Sequence, residues 1–268
     1  MVLENIKTYY SILTEMLLKK LTLMLLIAFS ISIVTSAQTD SLSEGRIVNQ
    51  QIWLDFYSHY TISDKVEYYG DAGYRSIITE KSWNRIYIRP SFRYKIHKKI
   101  ELHTGVGLFY VFDKYDYNTL EITPWQGVQV NWPRGKRIRF KHMLKIEERF
   151  NYITDTWVSS FELRFRYKMS AKVKINDKWF IPGYLEYFLP FSLQGSEEIY
   201  QNKGRAGLGI GYNFSSEFKV AFLFNWQTSR SGINENLKVS DYAYQLKIIK
   251  VWTGKYLFSR EAVEDNYY

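Results

Sequence analysis

The segment Phe161–Tyr167 reads FELRFRY and alternates apolar and charged residues without interruption. Successive side chains of an extended chain point to opposite faces, so the apolar residues share one face, and Glu162, Arg164 and Arg166 share the other. This pattern predicts a β-strand with two unlike faces. A soluble protein would bury the apolar face, whereas a barrel in a membrane would turn it toward lipid. The segment alone leaves both alternatives open.

Similar alternation recurs from about residue 50 to about residue 252 and predicts one domain, because no linker or change of composition divides it. At about 10–14 residues, the segments are longer than the average soluble strand of about 5–6 residues. They are also long enough to cross the hydrocarbon of a bilayer, which takes about 9–11 tilted residues. The predicted strands lie near 50–60, 66–77, 83–94, 100–112, 119–132, 137–150, 158–168, 179–191, 203–214, 218–228 and 240–252.

The connections between these segments alternate between short and long. The short ones read TISDK, KIHKK, PRGK and SSE, and the longer ones read DKYDYN, NYITDTW, SLQGSEEIYQN and TSRSGINENLKV. Short turns at one end and longer loops at the other are typical of bacterial outer-membrane barrels. The connection MSAKVKINDK departs from this alternation, and we expect it to contain an irregular hairpin.

Residues 1–37 have the order of an export signal. Two lysines precede the apolar run Leu21–Val34, and small residues follow it up to Ala37, where we expect cleavage. Translation is inferred to begin at Met16, which starts a compact signal peptide. The alternative is an uncleaved anchor, but the apolar run of about 14 residues is shorter than the roughly 20 that a spanning helix needs.

These observations predict an all-β fold, an antiparallel transmembrane β-barrel of about 10–12 strands, with a two-sheet sandwich as the alternative. Twelve strands are preferred because single-chain bacterial barrels have an even number. The missed strand would lie near Ile47 or after Trp252. We expect a monomer in the outer membrane of a Gram-negative cell, in contact with membrane lipids. The predicted organisation is signal peptide 1–37, flexible lead-in 38–49, outer-membrane barrel 50–252, and a C-terminal tail or last strand 253–268.

The polar face of the predicted strands carries many charges of both signs. Because unpaired charges inside a barrel are costly, neighbouring acids and bases are expected to pair. Glu147 and Arg149 lie on one strand of a predicted hairpin, and Glu162, Arg164 and Arg166 should stand opposite. The predicted lumen charge network is Arg85, Arg89, Arg93, Glu101, Glu121, Arg139, Lys145, Glu147, Arg149, Glu162, Arg164, Arg166, Glu186 and Arg205.

This network is compatible with two functions. It could be a structural ladder of salt bridges that fills a narrow lumen, or the charged wall of a narrow passive channel. In a channel, the excess of arginine would favour small anionic solutes. The prediction is therefore a structural barrel or a porin-like channel of undetermined activity.

The amino-acid composition supports a β-structure and excludes several classes of site and partner. Aromatic residues make up 18% of the chain, led by 23 tyrosines, and the chain has no cysteine. Tyrosine and tryptophan are favoured both in sheets and at membrane interfaces, and the lack of cysteine excludes disulfides and thiolate metal sites. The net charge of +9 is spread along the strands and not collected in a tail or helix, so we expect no nucleic-acid partner.

An enzyme is the competing class. Barrel lipases and acyltransferases that modify lipids place a histidine and a serine near the rim or the lipid face. His142 falls on the outward face, but its same-face neighbour is Leu144, and His103 falls on the inward face. His59 and His97 complete the set of four, and no two have a spacing that indicates zinc. We predict no catalytic residue, metal site or cofactor, and an enzyme is the less favoured alternative.

Several segments together resemble a known family. They read IWLDFYSHYTISDKVEYYGDAGYR, RPSFRYKIHKKIELHTGVGLFY, KHMLKIEERF and FELRFRY. Over most of residues 50–252 the chain resembles a domain-of-unknown-function family of outer-membrane β-barrel proteins from Gram-negative bacteria. The resemblance implies a barrel in the outer membrane, and it implies no activity and no catalytic residues.

Overall fold

The computed structural model describes residues 48–79, 83–132, 137–191, 203–229 and 238–252. The predicted signal peptide 1–37, nearly all of the lead-in 38–49 and the tail 253–268 lie outside the described residues. Within the described part, no helix is long and apolar enough to cross a membrane. The strands are β1 (Asn49–Thr61), β2 (Val66–Ile77), β3 (Trp83–Arg89), β4 (Ser91–His97), β5 (Ile100–Asp113), β6 (Thr119–Asn131), β7 (Ile138–Ile153), β8 (Ser159–Lys174), β9 (Trp179–Phe191), β10 (Lys203–Asn213), β11 (Phe218–Ser229) and β12 (Lys238–Trp252).

These strands form a single sheet that closes on itself. From β5 to β12, each strand pairs antiparallel with the next along the chain. The sheet closes because β1 pairs with β2 on one side and with β12 on the other. The β1–β12 pair is parallel, from Asn49 opposite Asp241 to Tyr60 opposite Trp252. The prediction of a wholly antiparallel barrel is therefore wrong at this seam.

Strands β3 and β4 occupy one position in the barrel. Both pair with β2 on one side and with β5 on the other, at successive positions along those neighbours. Pro90 separates them, and proline interrupts a ladder because it has no N–H to donate. The sheet thus contains twelve strand segments in eleven positions. The preference for twelve holds only when the two halves of this broken strand are counted separately.

The odd number of positions explains the parallel seam. Antiparallel order over eleven positions makes the first and last strands run in the same direction. We call the end that carries residues 62–65, 98–99, 175–178 and 214–217 the turn end, and the opposite end the loop end. Strand β1 begins at the loop end, and β12 ends at the turn end, where the N–H of Val251 donates to the carbonyl of Glu217.

The connection MSAKVKINDK is mostly strand. Strand β8 continues through it to Lys174 and stays paired with β7 and β9, because the alternation of apolar and basic residues continues to that point. The turn at 175–178 is then fixed by Asn176, whose side-chain oxygen accepts the backbone N–H groups of Lys178 and Trp179 at 2.9 and 2.8 Å. The irregular hairpin expected here is therefore wrong.

The two faces of the sheet differ sharply in polarity. Along β1, Gln51, Trp53 and Asp55 are buried, whereas the intervening residues are exposed apolar side chains. Among the described residues, the buried set contains more polar than apolar side chains. In FELRFRY, Phe161 and Phe165 are exposed on the outward face. The barrel is thus apolar outside and polar inside.

Candidate functional site in the barrel interior

A chain of arginines and glutamates runs across the inward side of β6–β9. Arg149 bridges two acids: its Nη2 donates to Glu121 Oε2 and its Nη1 to Glu162 Oε1, each at 2.7 Å. Arg85 reaches the same Glu121 oxygen at 2.8 Å. The pairing of Arg149 with Glu162 follows from their positions directly opposite each other in the β7–β8 register.

A second set of ion pairs begins at Glu147 on β7 and reaches Arg205 on β10. Glu147 accepts from Arg164 Nε at 2.6 Å and from Arg166 Nη1 at 2.5 Å. Arg166 also donates to Glu186 at 2.5 Å, and Arg205 approaches the other oxygen of Glu186 at 3.3 Å. The planar guanidinium group has donors for two carboxylates at once, which lets each arginine tie neighbouring strands together. The arginine belt, as we name this set, consists of Arg85, Glu121, Glu147, Arg149, Glu162, Arg164, Arg166, Glu186 and Arg205.

A second group of charged and titratable side chains lies on β1, β2, β4 and β5 near the turn end. Arg93 forms ion pairs with Glu67 and, at 3.4 Å, with Glu101. The ring of His59 lies 3.1 Å from Glu67, and that of His103 lies 3.4 Å from Glu101. All five side chains are buried. This group occupies part of the interior, beside a cavity that His59, Arg93 and His103 help to line.

The structure places the sequence-predicted residues in four different surroundings. Nine form the arginine belt. Arg93 and Glu101 pair with each other, and Arg89 binds Asp71, with Nε at 3.0 Å from Oδ1. Arg139 lies beside a cavity at the turn end. Lys145 lies opposite Arg166 in the β7–β8 register, with its ammonium group over an aromatic ring.

Sequence reasoning missed several inward charges. Asp55 accepts a hydrogen bond from Tyr87 Oη at 2.6 Å, and Glu67 and Asp71 neutralise Arg93 and Arg89. These acids alternate with outward residues on β1 and β2, so the same period-two pattern could have found them.

Three lysines on β7, β8 and β12 have aromatic rings as neighbours in place of carboxylates. The Nζ atom of Lys145 lies 3.3 Å from the centroid of Trp125. Lys168 and Lys247 both face Tyr184, at 4.2 and 5.7 Å from its centroid. None of the three forms an ion pair with a carboxylate of the described residues. Lys145, Lys168 and Lys247 are named the lysine cluster.

Two cavities lie beside these groups. The central cavity has a volume of about 250 Å³, and all members of the lysine cluster line it. The turn-end cavity has a volume of about 390 Å³. One acid lines it, Asp177, which pairs with Lys174 at 2.7 Å, and that lysine lowers the pKa of the Asp177 carboxyl. The basic residues of the turn-end cavity are Arg137, Arg139, Lys172, Lys174, Lys178 and Lys219.

Outside the charged interior, the described residues offer few candidates for a catalytic or metal-binding site. His142 lies on the outward face of β7, where its Nδ1 is 2.7 Å from Tyr167 Oη and its ring centroid is 5.7 Å from that of Trp132. Across the described ranges, no group of three or more metal-binding side chains comes together. The charged interior is thus the chemically distinctive part of the barrel.

Comparison with known proteins gives these similarities. A search of curated proteins finds no match. Among solved structures, the chain is similar to a NanC porin, with 9% identity, a TM-score of 0.46 and coverage of 75% of this chain and 98% of that one. It is also similar to the anion-selective porin from Comamonas acidovorans, with 11% identity and a TM-score of 0.34, over 70% of this chain and 56% of that one. A third, the CymD monoaromatic hydrocarbon channel, has 10% identity and a TM-score of 0.37, over 64% and 66% of the two chains.

The family comparison is more direct. The model of a family described as "Protein of unknown function (DUF2490)" matches residues 50–237, which contain all strands from β2 to β11. The match confirms the resemblance to a family of unknown function that the strand segments indicate. The chain belongs to this family.

Proposed function

We propose that this protein is exported, inserts into the outer membrane of a Gram-negative bacterium as a monomeric barrel, and provides a narrow passage for small anions. The observation that carries the proposal is the inverted polarity of the sheet. Its outward face presents apolar side chains on every side of the barrel, and its interior holds the charges.

The outward face matches a lipid environment. Soluble monomers rarely expose contiguous apolar patches larger than a few hundred Å². Here the exposed apolar residues include Leu54, Ile88, Leu144, Leu189 and Ile210, on five strands distributed around the barrel. In lipid this band would be covered by acyl chains, and a closed barrel would leave no unpaired strand edge in the hydrocarbon.

Aromatic residues mark both borders of this apolar face. Trp132 and Trp179 are exposed near the turn end, and Tyr115, Tyr117 and Trp157 are exposed near the loop end. Aromatic girdles at the two interfaces are a general feature of outer-membrane barrels. The export signal predicted in residues 1–37 supports the same location.

The interior supports a preference for anions. The acids of the arginine belt are already bound by arginines, whereas the lysine cluster and most bases of the turn-end cavity add positive charge beside open space. A pore wall with an excess of one sign favours ions of the other sign. The passage would be narrow, because long side chains fill much of a barrel of this size.

The lipid-modifying enzyme has weaker support. His142 has Tyr167 and Trp132 as neighbours, and among the described residues no serine forms a hydrogen bond with it. A histidine hydrogen-bonded to a tyrosine near an outward tryptophan suits a lipid interface without any catalytic role.

Planar-bilayer recording tests the proposed function. The purified full-length mature protein should show a shift of mobility on heating in gel electrophoresis, fractionate with the outer membrane, and give small conductance steps. A salt gradient should then produce a reversal potential of the sign expected for anion preference. A soluble periplasmic protein would contradict the location. An inserted barrel that is silent or prefers cations would contradict the passage, and hydrolysis of phospholipid would favour the enzyme.

A further inference from the structure

We propose that the lysine cluster is a binding site for one compact, doubly charged oxyanion, of the phosphate or dicarboxylate class, inside the central cavity. This deepens the proposed function, and it rests on it only for the route by which the anion enters. The site is built by Lys145 on β7, Lys168 on β8 and Lys247 on β12.

The three ammonium groups converge on one space. All three side chains line the central cavity. Lys168 and Lys247 come from strands that are not neighbours, yet both ammonium groups lie within 6 Å of the same ring, that of Tyr184. Lys145 approaches from β7, next to β8, and its Nζ is held over Trp125. An anion in the cavity would be approached from three sides.

Among the described residues, no carboxylate forms a direct ion pair with any of these three lysines. The acids that line the central cavity are Asp71 and Glu186. Asp71 is bound by Arg89, and Glu186 is bound by Arg166 and Arg205. An ammonium group removed from water without a counter-charge is unfavourable, and contact with an aromatic face offsets only part of that loss. The missing negative charge is what a bound anion would supply.

Hydrogen-bond donors in the cavity wall are also in surplus. The indole Nε1 of Trp125 and the Nε of Arg166 are buried and have no hydrogen-bond partner. Both residues line the central cavity, and Trp125 is 3% exposed. Buried donors are normally satisfied. A ligand rich in acceptor oxygens suits such a wall, whereas a cation or an apolar ligand does not.

The size of the cavity limits the ligand. A volume of about 250 Å³ admits a compact oxyanion together with some water or a small organic group. Tyr57, Tyr69 and Tyr184 add apolar ring surface to the wall. Inorganic phosphate and small dicarboxylates share the required chemistry of paired negative oxygens, and the experiment must separate them.

Isothermal titration calorimetry on the folded full-length mature protein tests the site. The probes are inorganic phosphate, succinate and chloride, each added at equal ionic strength and at about pH 7, where both oxyanions carry a substantial share of the doubly charged form. We expect saturable binding of one phosphate or succinate per chain and no saturable binding of chloride. The stronger of the two dianions identifies the class. No saturable binding of either dianion would overturn the proposal.

Matched variants localise the binding. Lys168→Gln and Lys247→Gln should each weaken dianion binding about tenfold or more, as expected for the loss of one charge-assisted hydrogen bond. Lys174→Gln, at the turn end and paired with Asp177, should leave the affinity unchanged. Equal weakening by all three variants, or by none, would overturn the site.

Thermal unfolding gives a readout that a structural lysine would not give. Removing an unneutralised charge should raise the midpoint of Lys168→Gln without phosphate, and phosphate should raise the midpoint of the wild type more than that of the variant. A variant that unfolds at a lower temperature in both conditions would contradict the site. Dianion binding without conductance would refute the passage alone, and anion-preferring conductance without binding would refute the site alone.

Discussion

In the arginine belt each guanidinium group binds one or two carboxylates, whereas in the lysine cluster each ammonium group faces an aromatic ring. Arg166 joins Glu147 to Glu186 through two nitrogen atoms. Lys168, two residues further along the same strand, lies over Tyr184. The change from one arrangement to the other thus takes place within two residues of β8.

The difference follows from the chemistry of the two cations. A guanidinium group offers several donors in a fixed plane and can bind two carboxylates at once, so it suits permanent ties between strands. An ammonium group is a compact charge on a flexible stem, and it can rearrange around a ligand. We therefore interpret the belt as the part that holds the barrel wall together and the cluster as the part that remains available to a solute.

The largest effect is expected from reversing a charge in the belt. Glu147→Lys would leave Arg164 and Arg166 without this partner and add a third positive charge beside them. Removing one partner of a buried ion pair destabilises by about 3–5 kcal/mol, so the reversal should destabilise by at least about that amount. The free energy of unfolding is measured by urea titration of the protein refolded in detergent, with heat-modifiable gel mobility as the readout of the folded fraction.

The matched control for that change is Asp64→Lys. It alters the net charge equally, but Asp64 lies exposed in the turn at 62–65, so the expected effect is within about 0.5 kcal/mol. Equal stability of the Glu147→Lys variant and the wild type would show that the belt does not hold the wall together.

The second-largest effect is expected on the outward, apolar face of the sheet that surrounds the arginine belt and the lysine cluster. Leu144 is 62% exposed on the outward side of β7, next to Lys145 on the inward side. If lipid surrounds it, Leu144→Lys should destabilise the inserted barrel by about 2–4 kcal/mol. Unfolding from lipid vesicles measures this change, with Leu144→Ala as the control that removes apolar contact without adding charge. A neutral or stabilising lysine at this position would mean that the outward face meets water.

A reciprocal exchange of the two cations tests the comparison directly. Arg149→Lys keeps the charge but cannot reproduce three hydrogen bonds to Glu121 and Glu162, and we expect a loss of about 1.5–3 kcal/mol. Lys247→Arg keeps a cation beside the rings and should change stability by less than about 1 kcal/mol. The unfolding midpoints of the two variants and the wild type, measured under one condition, give both losses of stability. Equal losses would show that the two cations play the same part.

Much of this fold could be predicted because alternation is a local signal. The predicted strand 66–77 coincides with β2, and the predicted strand 218–228 falls within β11. The parallel seam between β1 and β12 could not be predicted in the same way. It depends on the number of positions around the barrel, and the interruption at Pro90 changes how that number is counted.

The candidate site was predictable to a smaller extent. Glu147 and Arg164 stand opposite each other in a hairpin, so pattern and turn position together indicate their contact. Lys247 comes near Lys168 only because the sheet curls until both face Tyr184. Contacts across a lumen depend on the curvature and registers of the whole barrel, and no local sequence pattern carries that information.

The smallest effect separates exposed from enclosed positive charge. Lys178 lies exposed in the turn at 175–178, beside the turn-end cavity. Lys178→Gln should reduce the anion preference less than about twofold at 0.1 M salt and not at 1 M, because the Debye length falls from about 10 Å to about 3 Å. Lys247→Gln should reduce the preference at both concentrations, since enclosed charges are screened less. Reversal potentials measured at the two salt concentrations give the anion preference of each variant relative to the wild type. If the effect of Lys247→Gln also disappears at 1 M, the lysine cluster is as open to solvent as Lys178 in its turn, and the distinction between enclosed and exposed positive charge is wrong.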